Sequence, residues 1–240
     1  MSDLWLYLGM GAVAFVSSAI SGVAGFGGGM IFLPALVAVH GAKASVPVLT
    51  VAVLLGNASR VLFFRRHLDM KVVLLFSLGS VPLAIIGSMV YVTLPAFWIK
   101  KSIGAFLLIV VLFQRFYKPV RVGTPWFFLP LGGVSGFLSA LVGGVGPLSA
   151  PFFLAYGLAK EAFVGTEALC ATIMHLVKSI TYNRLDILGP RELSAGLLYG
   201  GVMVGGSFTA KKILEKLSRE QFLHLVEALL FLIGLYMLLG

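Results

Sequence analysis

Charge is scarce in this chain. Of its 240 residues only 11% are charged, against about 25% in an ordinary soluble domain. Asp and Glu together number nine, against 18 Lys and Arg. So little polar surface excludes the soluble globular class, and neither end reads as long or polar enough to form a soluble domain. Cysteine is scarcer still. Cys170 stands alone, which excludes an internal disulfide and a thiolate metal site, and no cofactor is implied. A basic start is also missing. Asp3 is the first charged side chain, and Leu4 to Val23 leads straight into glycines, so this segment reads as a span and not as a cleavable signal. No ATP-binding motif is present, so direct ATP drive would need another subunit. The net charge of +9 reads as orientation charge beside membrane spans, with no nucleic-acid partner implied.

What the chain has in abundance is apolar sequence: 59% hydrophobic residues and a mean hydropathy of +1.03. Ten apolar segments stand out, at roughly 4–24, 29–40, 45–64, 72–92, 97–115, 126–142, 147–158, 162–182, 193–210 and 221–239. They predict an all-α integral membrane protein of about ten transmembrane or half-membrane helices. Crossing the hydrocarbon takes ~20 helical residues, so 29–40 and 147–158 are too short. Each follows a glycine cluster: Ser21-Gly22-Val23-Ala24-Gly25-Phe26-Gly27-Gly28-Gly29 in one case, Ser139-Ala140-Leu141-Val142-Gly143-Gly144-Val145-Gly146-Pro147 in the other. A helix that enters, breaks at the glycines and resumes as a half-helix accounts for both. The freed backbone groups must then face protein or water.

The two halves align without a gap at an offset of 117 residues (Pro34 to Pro151). Ser18 matches Ser135, Gly27 matches Gly144, Gly29 matches Gly146, Ala42-Lys43 matches Ala159-Lys160 and Leu68-Asp69 matches Leu185-Asp186. Breakers and loop charges are what recur, which points to a duplication. Residues 1–117 form the first five-segment repeat, 118–125 the linker and 126–240 the second repeat. Five segments per repeat is odd, so the second runs inverted. The loop around Arg60, Arg65, Arg66 and Lys71 is strongly basic, and its counterpart around Arg184 and Arg191 is offset by Asp186 and Glu192. Placing the basic loop and the linker in the cytoplasm puts most Lys and Arg inside and both termini outside. Lys100 and Lys101 sit against that orientation.

Duplicated breaks near the middle of a membrane bundle point to a transporter's binding site. A half-helix starting at such a break presents unpaired N–H groups and a positive dipole end, which suits an anion without a charged side chain. Gly27, Gly28, Gly29, Gly144 and Gly146 are the candidates. The alternative for the same glycines is close helix packing. In segment 162–182, Glu167, His175 and Lys178 share one helix face with Thr166 nearby, and intramembrane ionisable residues mark pathways or proton relays. Lys178 supplies attractive charge or snorkels to an interface. Glu167 and His175 are the proton-coupling candidates. In segment 45–64, Thr50 and Asn57 share a face, and Arg60 reads as an orientation charge. His224 and Glu227 in the last segment have no counterpart in the first half, and Glu227 is a weak coupling candidate.

These motifs resemble the sulfite exporter TauE/SafE family of bacterial membrane permeases, over essentially the whole chain. The resemblance rests on Gly22-x-x-Gly25-x-Gly27-Gly28-Gly29 with Pro34, on Arg65-Arg66-His67-Leu68-Asp69, and on Phe163-Val164-Gly165-Thr166 with Leu176-Val177-Lys178 and Tyr182. It implies transport of small sulfur-containing anions such as sulfite or organosulfonates across a bacterial inner membrane, by two inverted five-helix repeats. Thr50 and Thr166 fall on the family's threonine positions, and Asn57 and Lys178 on polar positions of the same helices. The second glycine motif departs from the usual three consecutive glycines, and Glu167 stands where a small or hydroxyl residue is commoner. The expected protein is thus a secondary transporter, not an enzyme, with a small anion and membrane lipid as partners and a homodimer as a compatible assembly. A passive anion channel would use the same site without alternation. An intramembrane serine protease would use Ser135, in Gly133-Val134-Ser135-Gly136, with His175.

Overall fold

The computed structural model describes residues 2–24, 27–116, 121–158, 160–214 and 235. Apart from Leu235, the last expected segment, with His224 and Glu227, lies outside them, as do Gly25 and residues 118–120 of the expected linker.

The described chain is helical from end to end. Its helices are α1 (Ser2–Ala24), α2 (Gly28–Phe64), α3 (Met70–Thr93), α4 (Ala96–Phe116), α5 (Phe128–Val142), α6 (Gly146–Ala155), α7 (Lys160–Arg184) and α8 (Pro190–Leu214), with a short 3-10 turn at Pro125–Phe127 leading into α5. Among the described residues, six helices are long and apolar enough to cross a membrane: α1, α2, α3, α4, α7, and α5 counted with its 3-10 turn. Glycine-rich α8, which carries Arg191, Glu192, Lys211 and Lys212 within its first and last turns, is not one of them.

Local chemistry sets the boundaries. The Asp69 carboxylate accepts from the backbone N–H groups of Lys71 and Val72, both at 3.1 Å, and so caps α3. The Glu192 carboxylate reaches back to the Gly189 N–H at 3.0 Å at the start of α8. Both are the usual way to satisfy orphan donors at a helix N-terminus. The two short expected segments appear in different forms. Segment 147–158 is the separate ten-residue helix α6. Segment 29–40 is the first part of α2, divided from the rest at Gly41, whose φ of 77° and ψ of 163° are not helical. The Tyr91 hydroxyl, buried on α3, donates to the carbonyls of Ala42 and Lys43 at 3.0 Å each, fixing the backbone just past this kink.

Glycine also sets the closest helix contact. A Cβ on Gly79 of α3 would land on the carbonyl oxygen of Leu129 in α5, and one on Gly132 of α5 would land on that of Phe76 in α3. Gly87 and Gly136 repeat the pattern further along. These backbones touch because neither helix carries a side chain between them, the arrangement small residues permit in lipid. Within the clusters, Gly28 also packs closely, since a Cβ there would lie 2.5 Å from the Ser17 carbonyl oxygen of α1. Elsewhere α1 and α2 pack on α8, and α2 and α3 on α7. Large apolar side chains such as Leu74, Leu78, Ile86, Trp98, Ile109 and Leu112 stay exposed, as a hydrocarbon surrounding requires.

Candidate functional site

The chain breaks twice where the glycine clusters predict. Between α1 and α2, Gly27 has φ 92° and precedes the first turn of α2. Between α5 and α6, Gly143 has φ 87° and ends α5. Both angles lie in the left-handed region, where a Cβ is strained. Gly27 and Gly143 are thus the glycines that the backbone turns require.

Both breaks open on one cavity, with about 60 Å³ of room for water-sized molecules. Gly27, Gly28 and Gly29 line it from the first break, and Gly143, Gly144 and Gly146 from the second. Met30 and Ile31 N–H groups turn back onto the Gly27 carbonyl, at 3.1 and 3.3 Å. By helix geometry the N–H groups of Gly28 and Gly29 remain as first-turn donors of α2. At α6 the second residue is Pro147, which has no N–H, so the second break offers fewer amides than the first.

Side chains complete the wall. Asn57 and Arg60 come from α2, Glu167, Cys170 and His175 from α7, and Ser21 from α1. Arg60, which the sequence suggests is an orientation charge, is buried on the cavity wall instead. Its Nη1 donates to the carbonyl of Ser21 at 3.1 Å, near the end of α1, and its Nη2 donates to Asn57 Oδ1. Glu167 is buried on the same wall, and its Oε2 has no hydrogen-bond partner among the described residues.

Three expected residues stand off the cavity. Thr50 donates to the carbonyl of Val46 at 2.8 Å within its own helix. Thr166 accepts from the Asp69 N–H at 3.0 Å and pins the basic loop to α7. Lys178 is fully buried behind the second break. Its ammonium donates to the Ser139 carbonyl at 2.7 Å, Ser139 Oγ at 2.9 Å and the Gly143 carbonyl at 3.1 Å, and lies 3.5 Å from His175 Nδ1. A cation on the terminal carbonyls of a helix complements both its orphan acceptors and its dipole.

Arg60 and Lys178 therefore do the same work at the two breaks. Each holds the end of the helix that enters the break, α1 or α5, and each has a polar neighbour one turn earlier, Asn57 or His175. The register of this match is 118 residues (Arg60 to Lys178), and it also pairs Asn57 with His175, Ser21 with Ser139 and Gly28 with Gly146. Gly28 and Gly146 are the first residues of α2 and α6. The gapless 117 alignment misses this set by one residue. Ser135 is buried on α5 and does not line the cavity that holds His175.

Neither characterised proteins nor solved structures gave a match to the chain. The family model for the sulfite exporter TauE/SafE matches residues 10–237. With that match over nearly its whole length, this multi-pass helical membrane protein belongs to the sulfite exporter TauE/SafE family, whose members are transporters and not enzymes.

Proposed function

We propose that the protein is a secondary transporter of small sulfur-containing anions, such as sulfite or organosulfonates, in the bacterial inner membrane. The anion sits between the two glycine breaks and reaches alternate sides of the membrane as one five-helix repeat, residues 1–117, moves against the inverted second, residues 126–240. The linker 118–125 is cytoplasmic and both termini are on the outer side. One observation carries this reading: two helix breaks and a buried guanidinium share a single cavity. Backbone N–H groups at Gly28, Gly29 and Gly146 face the oxyanion, with Arg60 supplying charge and Asn57 and His175 hydrogen bonds. Lys178, Thr50 and Thr166 hold the frame. Glu167 and His175 are the groups through which proton movement is coupled. The sulfur chemistry comes from the family alone.

The cleanest test is Gly144→Leu. Gly144 lines the cavity, its φ is not positive, and a Cβ there meets nothing within 4 Å. A leucine fills the site without disturbing the fold. Gly28 does not separate the two effects, because a Cβ there would lie 2.5 Å from the Ser17 carbonyl. Radiolabelled sulfite influx into proteoliposomes should fall at least tenfold in Gly144→Leu, with thermal unfolding unchanged. Undiminished influx refutes the site. Saturable counterflow distinguishes this carrier from a channel that uses the same cavity.

A further inference from the structure

Glu167 sits uneasily in an anion site. It is 6% exposed, on the cavity wall, and Oε2 lacks a hydrogen-bond partner among the described residues. A buried carboxylate oxygen is an acceptor that needs a donor. The charges on the wall are few. Arg60 on α2 is its cation and Glu167 on α7 its carboxyl group, with His175 and Cys170 alongside, while Lys178 is taken up by the carbonyls that end α5 behind the wall. One guanidinium on a buried wall suits one negative charge on the solute, since a further uncompensated charge there is costly.

We propose that the solute is a monoanion that also carries an O–H or N–H donor, and that Glu167 receives that donor. The oxyanion end meets the amides of α2 and α6 and Arg60, and the donor end meets Oε2. A dianion would exceed the single guanidinium on the wall and repel Glu167. A monoanion without a donor would leave Oε2 buried and unpaired. Glu167 is then a specificity-determining residue, selecting hydrogen sulfite over sulfite dianion and hydroxy- or amino-sulfonates over plain alkyl sulfonates. The inference rests on the anion-site reading above and deepens it.

The test uses the purified full chain in proteoliposomes. Influx of radiolabelled sulfite is competed by ethanesulfonate or by 2-hydroxyethanesulfonate, which differ by one hydroxyl. The hydroxylated compound should compete at least tenfold better, equivalent to about 1.4 kcal/mol. In Glu167→Leu the two should compete within about twofold of each other, because the acceptor is gone and the unpaired-group penalty with it. Glu167→Gln, which keeps one carbonyl acceptor, should retain part of the preference. Equal competition by both compounds in the wild-type chain, competition by neither, or a preference that survives Glu167→Leu overturns the proposal. The wild-type ratio decides the matter even if a variant fails to fold. Loss of saturable sulfite influx in the wild-type chain itself is the separate result that removes the anion site and this inference together.

Discussion

Replacing Lys178 by methionine separates a fastener from a ligand. The ammonium makes three hydrogen bonds, at 2.7, 2.9 and 3.1 Å, to the end of α5. Bonds from a charged group are worth roughly 1.5–3 kcal/mol each, so their loss removes roughly 5–9 kcal/mol. Against this, methionine avoids the several kcal/mol that burying an ammonium costs. Two of the abandoned acceptors also keep partners. The Ser139 carbonyl still receives the Gly143 N–H at 2.9 Å, and the Gly143 carbonyl still receives Ser139 Oγ at 3.2 Å. The net destabilisation is therefore about 2–5 kcal/mol. At about 2–4 °C per kcal/mol for a chain of this size, Tm in detergent should drop by about 4–20 °C. Sulfite influx should fall with it, and recover in part in Lys178→Arg, which can donate to the same carbonyls. A Lys178→Met protein with undiminished Tm that still loses all influx would refute the fastener role and make the ammonium a direct ligand.

Three further substitutions test the frame. Gly79→Ala should push α3 from α5, because its Cβ would strike the Leu129 carbonyl; overpacking of this kind costs about 1–3 kcal/mol, readable as a lower Tm. Gly41→Ala should cost about 1–3 kcal/mol through its backbone angles alone (φ 77°, ψ 163°), since its Cβ would meet nothing within 4 Å. A Tm loss no greater than that of an exposed helical Gly→Ala control would show that the kink is not needed. Thr166→Val removes the acceptor of the Asp69 N–H and should cost about 1 kcal/mol, with faster amide exchange in the basic loop as the direct readout.

The broken helices were legible because glycine and proline punctuate apolar sequence so plainly. A run of twelve residues after a glycine cluster is too short to span, and only a half-helix resolves it. Asn57, Glu167 and His175 were legible for a similar reason, as polar side chains that hydrocarbon would reject. Arg60 was not. It lies four residues from the end of α2, where a cation ordinarily marks the membrane edge, and only the carbonyl of Ser21 reveals its true setting. A signal for it did exist. Asn57-x-x-Arg60 and His175-x-x-Lys178 have the same spacing, and Ser21 and Ser139 share their register. An alignment anchored on the prolines placed Arg60 opposite Val177 and hid the pair. Nor could sequence separate glycines that turn from glycines that touch. Gly79 and Gly132 look no different from Gly27 until the backbone they meet is known.

The two fasteners have a mechanical consequence. Arg60 joins α2 to α1, and Lys178 joins α7 to α5, so each tie begins and ends within one of the two proposed repeats. Under the proposed movement of one repeat against the other, both cations would stay in their cradles, and no buried charge would have to be stripped and reset on each cycle. The polar links that cross between the two proposed repeats are neutral: Ser18 to Met203 and Ser207, His40 to Tyr199, and Asp69 to Thr166. A stroke would have to exchange these, and slide or keep the glycine contact of α3 with α5, without uncovering either cation.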